Sequence, residues 1–322
     1  MTFAMAMELV GGIALFLLGM QLMSGGLQQA AGRRLRRAVA WATAGRFRAL
    51  GAGVGLSLAI QSSSAASVLV IGFVQAGVMT LSAGAAVMLG ANLGATLTTQ
   101  LIALNLSQFA PILVLLGVAA AFGCKKPVRR HLGEALLGFG LLFMGMDMMQ
   151  SALAPLAQDP EVIAWMTSFA QPHLCLIAGV LLTSLIQSSS AAVGLLQVLF
   201  VQGLLPFGSA VFLILGCNIG TCTDAVLAGW GARIDAKRVA ALHIGYNVVG
   251  SGLLFALLTL LPLMGPLQTA MGPNPTHSLA NVHTAFKALE VLFFFPLLPG
   301  IEALVRRLMP DPDKPTHRRN RP

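Results

Sequence analysis

Gln61-Ser62-Ser63-Ser64, followed by Gly90-Ala91-Asn92-Leu93-Gly94-Ala95-Thr96, recurs as Gln187-Ser188-Ser189-Ser190, followed by Gly216-Cys217-Asn218-Ile219-Gly220-Thr221-Cys222. Each copy sets hydroxyl and amide side chains in the middle of a long apolar run. In a membrane such groups either hold something polar or hydrogen-bond across packed helices. Gln61 and Gln187, Asn92 and Asn218, and Gly19-Met20 and Gly145-Met146 all stand 126 positions apart. One offset shared by three anchors identifies an internal duplication.

The rest of the composition agrees with a membrane setting. With 56% hydrophobic and 10% charged residues and a mean hydropathy of +0.81, the chain is too apolar for a soluble domain and reads as an all-α polytopic membrane protein. Its apolar runs are continuous rather than alternating, which disfavours a β-barrel. The net charge of +9 does not imply a nucleic-acid partner, because the charges are placed as topology signals. Every Lys and Arg except Lys287 falls in Arg33–Arg48, Lys125–Arg130, Arg233–Arg238 or the stretch from Arg306 to the C-terminus. The positive-inside rule puts all four in the cytoplasm, within a multi-pass cell (inner) membrane protein. The N-terminus is then outside and the C-terminus cytoplasmic. The four cysteines suggest neither a disulfide framework nor a zinc site, and Met1–Glu8 lacks the positive n-region of a cleavable signal peptide.

Charge parity organises the chain into two inverted repeats, 1–130 and 131–305, and a basic tail, 306–322. In the first, a helix over Glu8–Ala30 leads to a re-entrant hairpin (47–77) with Gln61 at its tip, since neither arm reaches the ~20 residues of a full span. A helix broken near Asn92 (82–104) and a returning helix (108–123) complete it, the break being expected from Gly90, Asn92 and Gly94. In the second, Leu132–Gln150 precedes a hairpin entering from the other side (173–203), a second broken helix (207–230) and closing helices at 239–261 and 281–305. The loops 151–172 and 262–276 contain no Lys or Arg, which suits an outer location. The tail from Asp311 is polar and proline-containing, and disorder is expected there.

Two hairpin tips and two helix breaks at midplane depth would be four places where backbone must be buried in protein or line a cavity. If they converge, half-helix N-termini can face an anion while freed carbonyls and Ser, Thr, Asn and Gln oxygens suit a small hard cation. An anion site of this kind needs no arginine. Helix packing explains the scattered glycines, Gly11-Gly12, Gly51–Gly55 and Gly138–Gly145, equally well. The tandem serines have no neighbouring base, so an intramembrane hydrolase, and enzyme activity generally, are not expected.

The doubled Gln-Ser-Ser-Ser and Gly-x-Asn-Ile/Leu-Gly motifs resemble those of the type II sodium-phosphate cotransporters and their bacterial relatives, over most of Glu8–Val305. That resemblance implies secondary transport of inorganic phosphate coupled to sodium, with no other cofactor. It implies a shared substrate and sodium site at Gln61, Ser62, Ser63, Ser64, Asn92, Thr96, Gln187, Ser188, Ser189, Ser190, Asn218, Thr221 and Thr223. Another small oxyanion or a dicarboxylate as substrate, and a non-transporting regulatory or assembly subunit, are the alternatives. Many bacterial relatives carry a soluble regulatory domain after the membrane part. This chain reads as the membrane part alone, so such control is expected from another chain or not at all. Flux direction and homo-oligomer formation stay open.

Several positions depart from the family pattern. Ala95 replaces a threonine, and Asp224 follows Thr223 where a neutral residue is common; its carboxylate is a candidate coupling residue or an interfacial aspartate. His243-Ile244-Gly245-Tyr246-Asn247 and His283-Thr284-Ala285-Phe286-Lys287 resemble two further family segments, the second ending in lysine. Lys287 could snorkel, pair with Glu290 one turn on, or stand in for one sodium ion. The isolated histidines are expected to be packing residues, and Asp147 interfacial.

Overall fold

A computed structural model describes residues 2–42, 45–168 and 171–311. The segment 312–322, most of the expected basic tail, lies outside the described residues, as do the side chains of Arg33–Arg37. Among the described residues fourteen α-helices run in order: α1 (Phe3–Ala42), α2 (Arg46–Ile60), α3 (Ser63–Gln75), α4 (Leu81–Ala103), α5 (Ala110–Gly123), α6 (Pro127–Leu153), α7 (Pro160–Ser168), α8 (Pro172–Ile186), α9 (Ser189–Val201), α10 (Phe207–Gly220), α11 (Cys222–Gly229), α12 (Ile234–Leu260), α13 (Met264–Met271) and α14 (Pro275–Leu308). The described residues contain no strand. Among the described residues six stretches are long and apolar enough to cross a membrane: Phe3–Ala31, Leu81–Ala103, Pro127–Leu153, Phe207–Gly229, Ile234–Leu260 and Pro275–Leu308.

Where the two re-entrant hairpins are expected, the chain forms pairs of short helices, α2 with α3 and α8 with α9. The longer arm of each has 15 residues, about 22 Å at 1.5 Å per residue, which falls short of a ~30 Å hydrocarbon core. The turns are built alike. Gln61 and Gln187 close their helices in the left-handed region, at φ 54° and 58°. Ser62 and Ser188 then open the next helix, each hydroxyl accepting the backbone N–H three residues on, from Ala65 and Ala191. A Ser N-cap satisfies one of the orphan donors of a helix start.

The expected break in 82–104 is not present. Helix α4 is continuous through Asn92, because Gly90 and Gly94 serve close helix contact rather than unwinding. A Cβ on Gly90 would lie 2.0 Å from the Leu50 carbonyl oxygen, and one on Gly94 2.6 Å from that of Val54. The second expected break shrinks to Thr221 alone, which keeps φ −60° and ψ −19°. Here too a Cβ on Gly216 would stand 2.0 Å from Leu176 O. Helices also extend past the other expected limits. Helix α1 continues to Ala42 because Gly26 lies against the α6 backbone at His131 and Ala135 and the residues beyond it are mostly Ala, Leu and Arg, all strong helix formers. Helices α12 and α14 begin earlier than 239 and 281, and short helices α7 and α13 occupy the two expected loops.

The duplication is visible in packing. Gly90 against Leu50 and Gly53 against Val87 on α2 and α4 correspond, at the same offset, to Gly216 against Leu176 and Gly179 against Leu213 on α8 and α10. Helix α6 is the counterpart of α1, and the two pack antiparallel on each other. Gly12 meets Gly145 and Gly19 meets Gly138, contacts that exchange into one another under the offset. A buried centre of Phe16, Met20, Leu142, Phe143 and Met146 fills this crossing. Exposed apolar side chains such as Leu115, Phe122 and Leu292 form the outer face expected of a lipid-embedded bundle.

Candidate functional site

The two hairpin tips meet. The Ser64 hydroxyl donates to the backbone carbonyl of Gln187 at 2.9 Å, and Ser190 donates to the Ala95 carbonyl at 3.1 Å. Both bonds tie one repeat to the other. Beside the tips lies a cavity of about 430 Å³ lined by Gln61 and Ser62 from the first tip, Ser188 from the second, and Gln21 and Ser24 from α1, with Leu17, Met20, Leu185, Ile186 and Ala191 as its apolar wall. Among the described residues no charged side chain lines it. Helices α3 and α9 begin at this cavity, so their N-terminal partial positive charge is what it offers an anion.

Gln61 is held in place from behind. Its Nε2 donates to Leu58 O at 2.8 Å, and its Oε1 accepts from Thr98 Oγ1 at 2.6 Å. Asp224, at the position of Thr98 in the second copy, is largely buried in the first turn of α11. Ser63 and Ser189 are buried in the first turns of α3 and α9. Thr96, Thr221 and Thr223 turn back onto their own helices, donating to the carbonyls of Leu93, Asn218 and Gly220. Thr223 also contacts Ser184 on α8 at 3.0 Å.

Asn92 and Asn218 belong to a separate buried cluster. Asn92 Nδ2 donates to Asn247 Oδ1 at 3.0 Å, while Asn218 Nδ2 donates to Ser251 at 2.9 Å and also to Glu290. Lys287, only 3% exposed, donates to Asn218 Oδ1, to Asn247 Oδ1 at 2.8 Å and to Glu290 Oε2 at 3.2 Å. Pairing with Glu290 is therefore present and snorkelling is not, since the ammonium is bonded to three buried oxygens. A further polar layer joins Thr99, which lies 3.2 Å from His283 Nδ1, to Gln197, whose Nε2 donates to Thr276 O at 3.2 Å. His243 packs its ring against Tyr246.

Sequence reasoning passed over Ser24, Ser251 and Gln197, gave Gln21 and Asn247 no place in the site, and took Glu290 only as a local partner of Lys287. Each is a polar residue in an apolar helix, which was the available signal; what they contact depends on helices far apart in the chain. No group of His, Cys, Asp and Glu suited to a transition metal occurs among the described residues.

Comparison with known proteins gives a consistent family. A family model described as Na+/Pi-cotransporter matches residues 15–151 and 152–265. YqeW of Bacillus subtilis is 30% identical over 92% of this chain and 96% of its own length. YjbB of Salmonella typhimurium, by its name a candidate inorganic phosphate export protein, is 26% identical over 97% of this chain, which spans 57% of that relative. The sodium-dependent phosphate transport protein 2C of Mus musculus is 34% identical over 44% of this chain and 23% of its own length. No solved structure matches the chain.

Proposed function

Because the chain belongs to the Na+/Pi-cotransporter family, a family of transporters and not of enzymes, we propose that it carries inorganic phosphate across a membrane coupled to sodium, around the cavity between its hairpin tips. The observation that carries this reading is the Ser64 to Gln187 contact, which brings both serine-capped helix starts to one cavity. A volume of about 430 Å³ is many times the ~30 Å³ share of one water, room enough for a partly hydrated oxyanion. Hydroxyl donors and helix N-termini recognise a tetrahedral oxyanion without a fixed positive side chain, so the substrate can leave. Sodium oxygens would come from Gln61, Gln187 and the tip carbonyls, and from the largely buried Asp224.

Antiparallel packing of the equivalent helices α1 and α6 supports two repeats of opposite orientation, with the N-terminus outside and the C-terminus cytoplasmic. Repeats so related can exchange an outward-open for an inward-open arrangement by rocking about a fixed site. Relatives are named both for export and for sodium-dependent transport, and flux direction follows from the gradients the cell maintains rather than from the site.

Radiolabelled phosphate flux into proteoliposomes tests the reading. An inward sodium gradient should drive accumulation that potassium does not, and excess unlabelled phosphate should compete where sulfate and dicarboxylates fail. Competition by sulfate or a dicarboxylate would reassign the substrate, and absence of any flux from folded protein would favour a regulatory role.

A further inference from the structure

Helices α12 and α14 each carry one copy of a short pattern, 40 positions apart: His243-Ile-Gly-Tyr246-Asn247-Val-Val-Gly250 and His283-Thr-Ala-Phe286-Lys287-Ala-Leu-Glu290. Equivalent positions face each other. Asn247 Oδ1 accepts from Lys287 Nζ at 2.8 Å, and a Cβ on Gly250 would stand 2.9 Å from Glu290 Oε1. Where the first copy has a neutral amide and no side chain, the second has an ammonium and a carboxylate, and Gly250 leaves the space that the carboxylate fills.

The ammonium is surrounded as a small cation would be. Its three donors go to three oxygens, Asn218 Oδ1, Asn247 Oδ1 and Glu290 Oε2, which accounts for all its hydrogen atoms. The two repeat asparagines converge on it, Asn218 directly and Asn92 through Asn247. Carboxylate and amide carbonyl oxygens are also donors that suit a hard cation. Lys287 and Glu290 are each 3% exposed, so the charges compensate each other out of water, as buried charges must.

We propose that Lys287 is a tethered cation occupying an oxygen-lined monovalent-cation site between Asn218, Asn247 and Glu290. With the ammonium in place no mobile ion is needed there. Joined to the sodium-coupled reading above, on which this last step rests, the cycle runs with one mobile sodium fewer than it would if that site were vacant.

Binding of ²²Na⁺ to purified protein at constant ionic strength, with potassium as the replacement ion, tests the site without requiring transport. Lys287→Ser and Lys287→Gln should each bind one more sodium per protein than the unmodified chain, and Lys287→Ser combined with Glu290→Gln should lose that extra ion. A variant that folds only in sodium also supports the site. An unchanged sodium count in folded variants overturns it, and so does failure of both variants to fold in either salt, because a vacant site then cannot be filled by a free cation. Phosphate flux is scored separately: a gain of one bound sodium in a protein that moves no phosphate would keep the tethered cation and remove the transport reading.

Discussion

Ser64 Oγ donates to the Gln187 carbonyl at 2.9 Å, joining the capped start of one hairpin's second helix to the left-handed residue that turns the other hairpin. Its repeat counterpart, Ser190, bonds Ala95 instead, so the two halves meet asymmetrically. An alternating mechanism has to break and remake such contacts, which makes this one sensitive. Ser64→Ala should lower the thermal midpoint slightly, in line with one lost hydrogen bond worth ~1 kcal/mol. It should change phosphate flux several-fold more than that loss implies. Equal, small effects on both readouts would mark the bond as structural only.

The hairpins and the duplication were legible because serine and glutamine interrupt apolar text that otherwise favours continuous helix. The break at Asn92 was misread for a physical reason. Glycine lowers helix propensity by ~1 kcal/mol relative to alanine, but it also allows backbones to touch, and only the partner helix decides which effect counts. Gly90 has Leu50 against it, so α4 stays intact. The pairing of Lys287 with Glu290 was readable from their spacing, whereas its contacts with Asn218 and Asn247 require α10, α12 and α14 to converge.

Close backbone contact gives a second test. Gly90→Ala and Gly216→Ala put a methyl group 2.0 Å from a carbonyl oxygen, and each should destabilise by ~1–3 kcal/mol through forced separation of the hairpin from its neighbour. Gly51→Ala and Gly55→Ala, which meet nothing within 4 Å, should be neutral or slightly stabilising. Thermal aggregation midpoints in one detergent would rank the four, and similar values for all would contradict the packing role.

Arg238 supplies a third. Its side chain is 2% exposed and pairs with Asp235 at 2.6 Å and Asp311 at 2.9 Å, while Nε and Nη2 both donate to the Met309 carbonyl. It thereby fastens the end of α14 to the start of α12. Arg238→Ala removes both donors to the Met309 carbonyl and leaves Asp235 and Asp311 to solvent, with Asp235 still 3.6 Å from Arg306. The cost should be ~1–3 kcal/mol, mainly lost hydrogen bonds to a charged donor. Limited proteolysis should then cut near Met309 well below the global unfolding temperature, and an unchanged cleavage rate would show that the anchor is dispensable.

The capping serines separate stability from ligand recognition, because one substitution preserves the first and opposes the second. Ser62 and Ser188 each cap a helix start and line the same cavity. Alanine removes the cap and should cost ~1 kcal/mol of stability at either position. Aspartate is as good an N-cap as serine and favours the helix dipole, so Ser62→Asp and Ser188→Asp should leave the thermal midpoint near that of the unmodified chain. Yet the carboxylate places a negative charge where the proposed anion would sit. If phosphate binds between the tips, apparent phosphate affinity should fall at least tenfold in both aspartate variants while their stability is preserved. The reverse order, with the less stable alanine variants losing more affinity than the aspartates, would move the anion site away from the hairpin tips altogether.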